Sequence, residues 1–224
     1  PGTLSYVLRL DGDVSPATKN WKVETNTPQE VSFVTTARGG AIEIRKKFLL
    51  EEGAQGARLV LEFTDKSDKP IADVRYWLTG GNGVPIEGAW YTRFFRSTNF
   101  FLRASGSSGG ELKQELASAI VSNEENGQPQ ISFSKTPMQW GGVGSQYFAS
   151  LLVQPFDIAA HPEQNQVGQA MPQFISLDPK NSEMSNIGVE VRSVPLILKP
   201  GETVRHEYLL YNGPKEESVL DAFG

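Results

Sequence analysis

Residues 41–79 alternate between apolar and polar side chains, which is the period of a β-strand with one buried face. In residues 57–64, for example, Leu59 and Leu61 share one parity, and charged or polar side chains occupy most of the other. The polar segment 65–70 ends in proline and marks a turn before the next alternating stretch. This pattern predicts an antiparallel meander with one buried and one solvated face.

Similar short strands are predicted along most of the chain. Residues 146–153 leave neither parity polar, which indicates a strand buried on both faces. Residues 111–121 place apolar side chains four apart, which suits a short amphipathic helix, with a strand as the alternative. The 224 residues suffice for one large domain over residues 1–224. We therefore predict an all-β fold, a large antiparallel two-sheet sandwich with one or two short helices.

The end of the chain is predicted to form a hairpin and a helix. Apolar side chains alternate on both sides of a turn at residues 199–202, so residues 194–211 predict a β-hairpin. Asparagine, glycine and proline at 212–214 predict the end of the second strand, and a helix follows from Lys215. The apolar face of this helix is a candidate contact surface and comprises Val219, Leu220 and Phe223.

The composition excludes several classes of protein. The chain has 26 acidic and 21 basic residues, and its longest basic run is 45–47, so we expect no binding to nucleic acid. It has no cysteine, which excludes disulfides and thiolate metal ligands. No apolar run approaches the roughly 20 residues that a membrane helix needs. Because the chain begins with Pro1, we expect it to be a soluble piece of a longer protein.

Residue patterns that would support catalysis are sparse. The two histidines, His161 and His206, have no second metal ligand at a short spacing. No serine lies on a G-x-S-x-G elbow that follows a buried strand. The glycine-rich segments 80–83 and 141–144 lack the lysine and helix of a phosphate-binding loop, so both are predicted to be turns. We expect no metal, no cofactor and no enzymatic activity.

Aromatic side chains provide one candidate binding site. Sugar rings stack on aromatic faces, and paired carboxylates can perform acid–base chemistry on sugars. A carbohydrate groove could be lined by Glu87, Trp90, Tyr91, Trp140 and Tyr147. The interpretation that we favour is that these rings fill the space between two sheets. The residues of the candidate cleft are Trp90, Tyr91, Trp140 and His206.

Two segments resemble one known family. Residues 210–216, LYNGPKE, followed by Leu220, resemble the L-Y-x-G-P-K-E-x-x-x-L signature that closes the periplasmic domain of the YidC family of bacterial membrane protein insertases. Residues 140–149, WGGVGSQYFA, are similar to the W-x-G-V-x-x-Q-Y-F segment of that family. A looser resemblance at residues 63–70 extends the similarity to residues 41–224.

The resemblance implies a galactose-mutarotase-like β-sandwich on the periplasmic side of the bacterial inner membrane. It implies a non-catalytic module of a protein that assists insertion and folding of membrane proteins. Accessory subunits of the Sec translocon and nascent membrane proteins would be its partners. Flanking transmembrane helices would anchor it, with the helical segment 211–224 leading into the second of them.

The alternative is a carbohydrate-binding or mutarotase-like protein, since a shared fold does not decide function. Mutarotase chemistry needs an acid and a base across the sugar ring. The candidates are His206, Glu207 and Glu190. Consecutive residues of a strand point to opposite faces, so His206 and Glu207 cannot both line one cleft unless a bulge intervenes.

Overall fold

The structure, a computed structural model, describes residues 5–53, 56–86, 97–104, 111–133, 137–216 and 223. These residues form short 3-10 turns, two α-helices and fifteen β-strands. The helices are α1 (Ser15–Thr18) and α2 (Ala117–Glu125). The strands are β1 (Leu8–Leu10), β2 (Lys22–Asn26), β3 (Glu30–Ala37), β4 (Ile42–Leu50), β5 (Ala57–Asp65), β6 (Ile71–Val74), β7 (Tyr76–Thr79), β8 (Asn99–Ala104), β9 (Glu111–Leu116), β10 (Met138–Gly144), β11 (Phe148–Val153), β12 (Val167–Ser176), β13 (Asn186–Ser193), β14 (Leu196–Leu198) and β15 (Thr203–Pro214).

The strands pair in antiparallel sheets. The largest sheet has nine strands in the order β2-β3-β4-β5-β15-β11-β10-β8-β9, and a second has four in the order β1-β7-β13-β12. Strands β6 and β14 form a separate two-stranded sheet. One continuous hydrophobic core contains side chains from both large sheets. The predicted all-β, two-sheet antiparallel sandwich is therefore confirmed.

The nine-stranded sheet has an inner face, which lies against the main core, and an outer face. On β4 and β5 the inward side chains include Ile44 and Leu61, which are fully buried. The opposite parity carries Arg45, Lys47 and Glu62, which form ion pairs across the outer face. This burial pattern agrees with the predicted alternation. The apolar side chains face inward because burial of each large aliphatic side chain contributes roughly 1.5–3 kcal/mol.

Part of the outer face is apolar. Strand β11 contributes Leu152 to the main core, and its alternate residues form a second buried cluster on the outer face. That cluster comprises Ala149, Leu151, Val153, Tyr211 and Phe223, with Trp140 and Leu209 packed against it. The prediction of a strand buried on both faces at residues 146–153 is confirmed for Phe148–Val153, whereas residues 146 and 147 precede the strand and are exposed.

The predicted hairpin at residues 194–211 is wrong. Its turn exists, since the Glu202 N–H donates to the Lys199 carbonyl at 2.9 Å. However, β14 pairs with β6, whereas β15 pairs with β5 and β11. Strand β15 also passes its predicted end and continues to Pro214, which lies opposite Phe148. Alternation identifies a strand, but it does not identify the strand's partner.

Two further predictions need correction, and residues 111–121 settle a choice that the sequence left open. Residues 71–79 divide into β6 and β7, with Asp73 at φ +53° near the division, and the two strands join different sheets. Residues 111–121, for which helix and strand were the alternatives, contain both: a strand up to Leu116, where β9 pairs with β8, and a helix from Ala117. Residues 141–144 lie inside β10 instead of forming a turn.

Candidate functional site

The structure separates the residues of the predicted cleft. Trp140 lies on the outer face, opposite Val153 of β11. His206 lies opposite Leu61 of β5, on the inner face. Trp90 and Tyr91 lie outside the described residues. Trp140 and His206 therefore cannot line one groove, since a sheet lies between their side chains.

His206 belongs to the core. It is 8% exposed, and its Nδ1 lies 2.8 Å from the Tyr76 hydroxyl oxygen. That oxygen lies 2.6 Å from the Tyr208 hydroxyl oxygen, and both tyrosines are fully buried. Burial lowers the pKa of His206 to about 4, so the imidazole is neutral at pH 7. A neutral Nδ1 can accept the Tyr76 proton while Tyr76 accepts from Tyr208, which satisfies all three groups.

The predicted C-terminal contact surface is only partly described. Phe223 is 7% exposed and packs edge-on against Tyr211 at 5.5 Å between ring centroids. This side chain thus covers the outer face of the sheet instead of standing free. Val219, Leu220 and most of the predicted helix lie outside the described residues. Lys215 continues the extended chain, and its N–H donates to the Tyr147 carbonyl at 2.6 Å.

A pocket with a mixed polar and apolar lining lies elsewhere on the outer face. Its volume is about 370 Å³. Its lining comprises Glu51, Gly56, Arg58, Pro155, Phe156, Glu207 and Leu209. We call it the outer-face pocket. It combines two carboxylates and a guanidinium with an aromatic ring, which is the mixture of a few polar groups and apolar surface found in ligand sites.

The pocket forms where one strand leaves the sheet. Strand β11 ends at Val153, opposite Leu209, whereas β15 and β5 continue beside each other to Thr203. After Val153 the chain turns away, and Pro155 and Phe156 form a wall beside the uncovered part of β15. The gap in the sheet surface is therefore a result of unequal strand lengths.

Ion pairs fix the polar side of the pocket. The Arg58 Nη2 atom lies 2.5 Å from a Glu51 carboxylate oxygen. The Arg58 Nη1 atom lies 3.8 Å from a Glu207 carboxylate oxygen. Glu207 also pairs with Arg205 at 2.5 Å. Exposed ion pairs contribute only about 0–1 kcal/mol each, so their main effect here is to orient the side chains. Two positive and two negative charges alternate, and the group as a whole is neutral.

Sequence reasoning identified these residues only in part. The alternation placed Arg58 on the outward parity of its strand, and it placed Glu207 opposite to His206. The alternation did not predict that Arg58 and Glu207 are close to each other, because this depends on β5 and β15 being neighbouring strands. The contribution of Phe156 was missed, since it lies in a segment with no periodic pattern.

Among the described residues, no group of three or more histidine, aspartate or glutamate side chains is placed to hold a metal ion. Within the same part of the chain, no helix has the length and apolar character needed to cross a membrane.

Comparison with solved structures shows the fold. The chain matches a galactose mutarotase-related enzyme from Lactobacillus acidophilus at 9% identity and TM-score 0.54, covering 88% of this chain and 72% of that one. It matches a candidate aldose 1-epimerase from Escherichia coli K12 at 14% identity and TM-score 0.53, covering 89% and 70%. A galactose mutarotase-like protein from Lactobacillus casei matches at 10% identity and TM-score 0.50, covering 88% and 74%. The fold is galactose mutarotase-like.

The comparisons contradict the resemblance to the YidC insertases. No protein-family model matches the chain. No curated protein matches it. The two motifs that suggested the family, residues 140–149 and 210–216, form neighbouring strands in which Phe148 lies opposite Pro214. The predicted insertase function is wrong, because the solved structures that match the chain are galactose mutarotase-like. The partners and the inner-membrane location that it implied remain predictions.

Proposed function

We propose that this chain binds a carbohydrate in the outer-face pocket and does not catalyse a reaction on it. The supporting observation is the position of Arg58 between Glu51 and Glu207, with Phe156 in the facing wall. Sugar hydroxyl groups both donate and accept hydrogen bonds. Carboxylate oxygens accept and guanidinium N–H groups donate, so the pocket complements neighbouring hydroxyls. Phe156 offers an apolar surface for the C–H face of the sugar ring.

The volume and charge of the outer-face pocket limit the class of ligand that it can bind. Ligand pockets span roughly 300–1,000 Å³, and a volume of about 370 Å³ is at the small end. One sugar unit therefore suits the pocket better than a long oligosaccharide. Arg58 and Arg205 already balance Glu51 and Glu207. A neutral hexose leaves these pairs intact, whereas a sugar acid or sugar phosphate would have to disrupt them.

The positions of the histidines are the reason for proposing binding without catalysis. His206 lies on the other face of the sheet, hydrogen-bonded in the core. His161 lies in a loop, 3.4 Å from Glu163, and does not line the pocket. An acid and base of the histidine–carboxylate kind would need one of them beside Glu207.

The binding experiment is an NMR titration of the ¹⁵N-labelled chain with D-galactose and D-glucose. We expect shifts at the amides of Arg58, Glu207 and Leu209, and at least tenfold weaker binding in Arg58→Met. Arg45→Met is the matched control, since Arg45 lies on the same face but outside the pocket. Shifts confined to other parts of the surface, or no shifts at millimolar sugar, would overturn the proposal.

Catalysis is tested separately. Anomer interconversion of D-galactose is followed by NMR or polarimetry at high protein concentration, and we expect the rate found in buffer alone. A faster rate that disappears in Glu207→Gln would show an enzyme and refute the non-catalytic part of the proposal.

A further inference from the structure

Three glutamines are linked by hydrogen bonds, directly or through one another, to the backbone of residues that line the outer-face pocket, and none of the three lines it. They are Gln139 at the start of β10, Gln154 just after β11 and Gln166 just before β12. We call these three the glutamine frame. Gln154 is 1% exposed and Gln166 is 6% exposed. Buried amides are tolerated only when their hydrogen bonds are satisfied, so the bonds of this frame are informative.

Gln166 holds the backbone of the pocket residue Glu207. Pairing of β15 with β11 ends at Leu209, opposite Val153, so Glu207 lies beyond the last residue of β11. The Glu207 N–H donates instead to the side-chain oxygen of Gln166 at 2.8 Å. A side-chain amide thus replaces the missing strand at the position where β15 borders the pocket.

Gln166 is itself fixed by Gln154. The Gln166 N–H donates to the Gln154 side-chain oxygen at 2.7 Å. The Gln154 amide nitrogen donates to the Met138 carbonyl and, at 3.0 Å, to the Asn165 side-chain oxygen. The chain of bonds therefore runs from β10 through two buried glutamines to β15, and it contains no charged group.

Gln139 fixes the opposite wall. It lies at an irregularity of the β8–β10 pairing, between Met138 and Trp140, which redirects its side chain. Its amide nitrogen donates to the Phe156 carbonyl at 2.8 Å, and its side-chain oxygen accepts from the Ile158 N–H at 3.1 Å. The frame therefore anchors both Glu207 and Phe156, on opposite sides of the pocket.

We infer that Gln166 is a positioning residue that sets the place of the Glu207 carboxylate relative to Arg58 and thereby determines carbohydrate affinity. This inference rests on the proposed function. Without the Gln166 oxygen, the Glu207 N–H would be left without its partner at the base of the pocket. The backbone of β15 would then shift toward another acceptor. A binding site depends on such supporting bonds, because a displacement of about 1 Å disrupts its geometry.

The first measurement needs no sugar. Hydrogen exchange of the Glu207 amide is followed by NMR in the wild type, Gln166→Met and Gln169→Met. Gln169 is the control, because it lies three residues further on and donates to the Ser132 hydroxyl at 2.7 Å. We expect at least tenfold faster exchange of the Glu207 amide in Gln166→Met only. Unchanged exchange would overturn the inference. If Gln166→Met does not fold, the shorter Gln166→Asn, which withdraws the same oxygen, replaces it.

The second measurement is a double-mutant cycle on sugar affinity with Gln166→Met and Glu207→Gln. We expect Gln166→Met to weaken sugar binding about tenfold when Glu207 is present, and less than twofold when it is combined with Glu207→Gln. The effects of two substitutions on binding are non-additive when the residues are coupled. An equal loss in both backgrounds would mean that Gln166 does not act through Glu207, and would refute the inference. A wild type that binds no sugar refutes the proposed function instead, and the exchange measurement then decides whether Gln166 holds Glu207.

Discussion

His206 and Glu207 are consecutive residues of β15, and their side chains lie on opposite faces of the nine-stranded sheet. The pairing of β15 with β5 is continuous from Thr203 to Leu210, so no bulge brings the two side chains together. His206 bonds to Tyr76 in the core, whereas Glu207 lines the outer-face pocket beside Arg58. One of these two adjacent positions therefore belongs to the core, and the other belongs to the pocket for which we propose carbohydrate binding.

Substitutions at these two positions should affect different properties, sugar binding at Glu207 and stability at His206. Glu207→Gln should weaken sugar binding about tenfold, because it loses a charge-assisted hydrogen bond, and should change the free energy of unfolding by less than about 0.5 kcal/mol. His206→Leu should lower the free energy of unfolding by about 1–3 kcal/mol, because the Tyr76 hydroxyl loses a buried partner. Urea unfolding and sugar titration of both variants test this. A folded His206→Leu that no longer binds sugar would contradict the separation.

Acidification should destabilise the fold through His206. Burial lowers its pKa to about 4 in the folded chain, against the ordinary histidine value of 6.5. The unfolded chain therefore binds more protons between pH 6.5 and pH 4, and stability falls as the pH falls through this range. A shift of this size corresponds to about 3 kcal/mol. Urea unfolding of the wild type, His206→Gln and His161→Gln at pH 7 and pH 4.5 measures it. The drop should be smaller in His206→Gln only, and an equal drop in all three proteins would refute the prediction.

Much of the fold was predictable because the signal is local. Residues 57–64 were predicted to alternate as one strand and lie in β5, and residues 146–153 were predicted to form a strand and contain β11. The errors concern partners. Strand β14 was assigned to β15 on account of the turn between them, although its partner is β6. Which strands meet is decided by packing of the whole chain, and that is not contained in the alternation of one segment.

The candidate site was predictable only to the level of strand faces. Arg58 was correctly placed on the outward parity of its strand, but its neighbour Glu207 is contributed by a strand distant in sequence. The glutamine frame left no sequence signal at all, because buried and exposed glutamines cannot be told apart without the fold. The motifs at 140–149 and 210–216 suggested the wrong family, because they cover only a small part of the 224 residues.

Lys46 should give a second pH dependence, at alkaline pH. It lies on the inward parity of β4, where its ammonium donates to the Tyr6 carbonyl at 3.1 Å and lies 4.8 Å from the centre of the Trp21 ring. Burial lowers its pKa from 10.5 to about 8. Between pH 8 and 10.5 the unfolded chain binds more protons, so the stability contribution of this residue rises with pH and is least favourable below pH 8.

A comparison of neighbouring lysines isolates this effect. Lys46→Met should flatten the rise in the free energy of unfolding between pH 8 and pH 10.5. Lys47→Met should leave it unchanged, because Lys47 lies on the outer face and pairs with Glu62 at 2.8 Å. Urea unfolding of both variants and the wild type across this range provides the data. If Lys46→Met retains the full rise, Lys46 is not the group responsible.

Gly142 should be the least replaceable glycine of β10. It lies opposite Leu151, and a Cβ atom at this position would stand 2.0 Å from the Ser150 carbonyl oxygen, which is backbone and cannot move aside without displacing β11. At Gly141 the nearest atom would be the Met138 sulfur at 2.9 Å, the flexible end of a side chain. Overpacking of a core typically costs about 1–3 kcal/mol, so Gly142→Ala should fall in the upper part of that range and Gly141→Ala near its lower end. Urea unfolding of the two variants measures the difference, and equal losses would contradict it. Gly142, which the sequence suggested to lie in a turn, thus allows the close approach of two central strands.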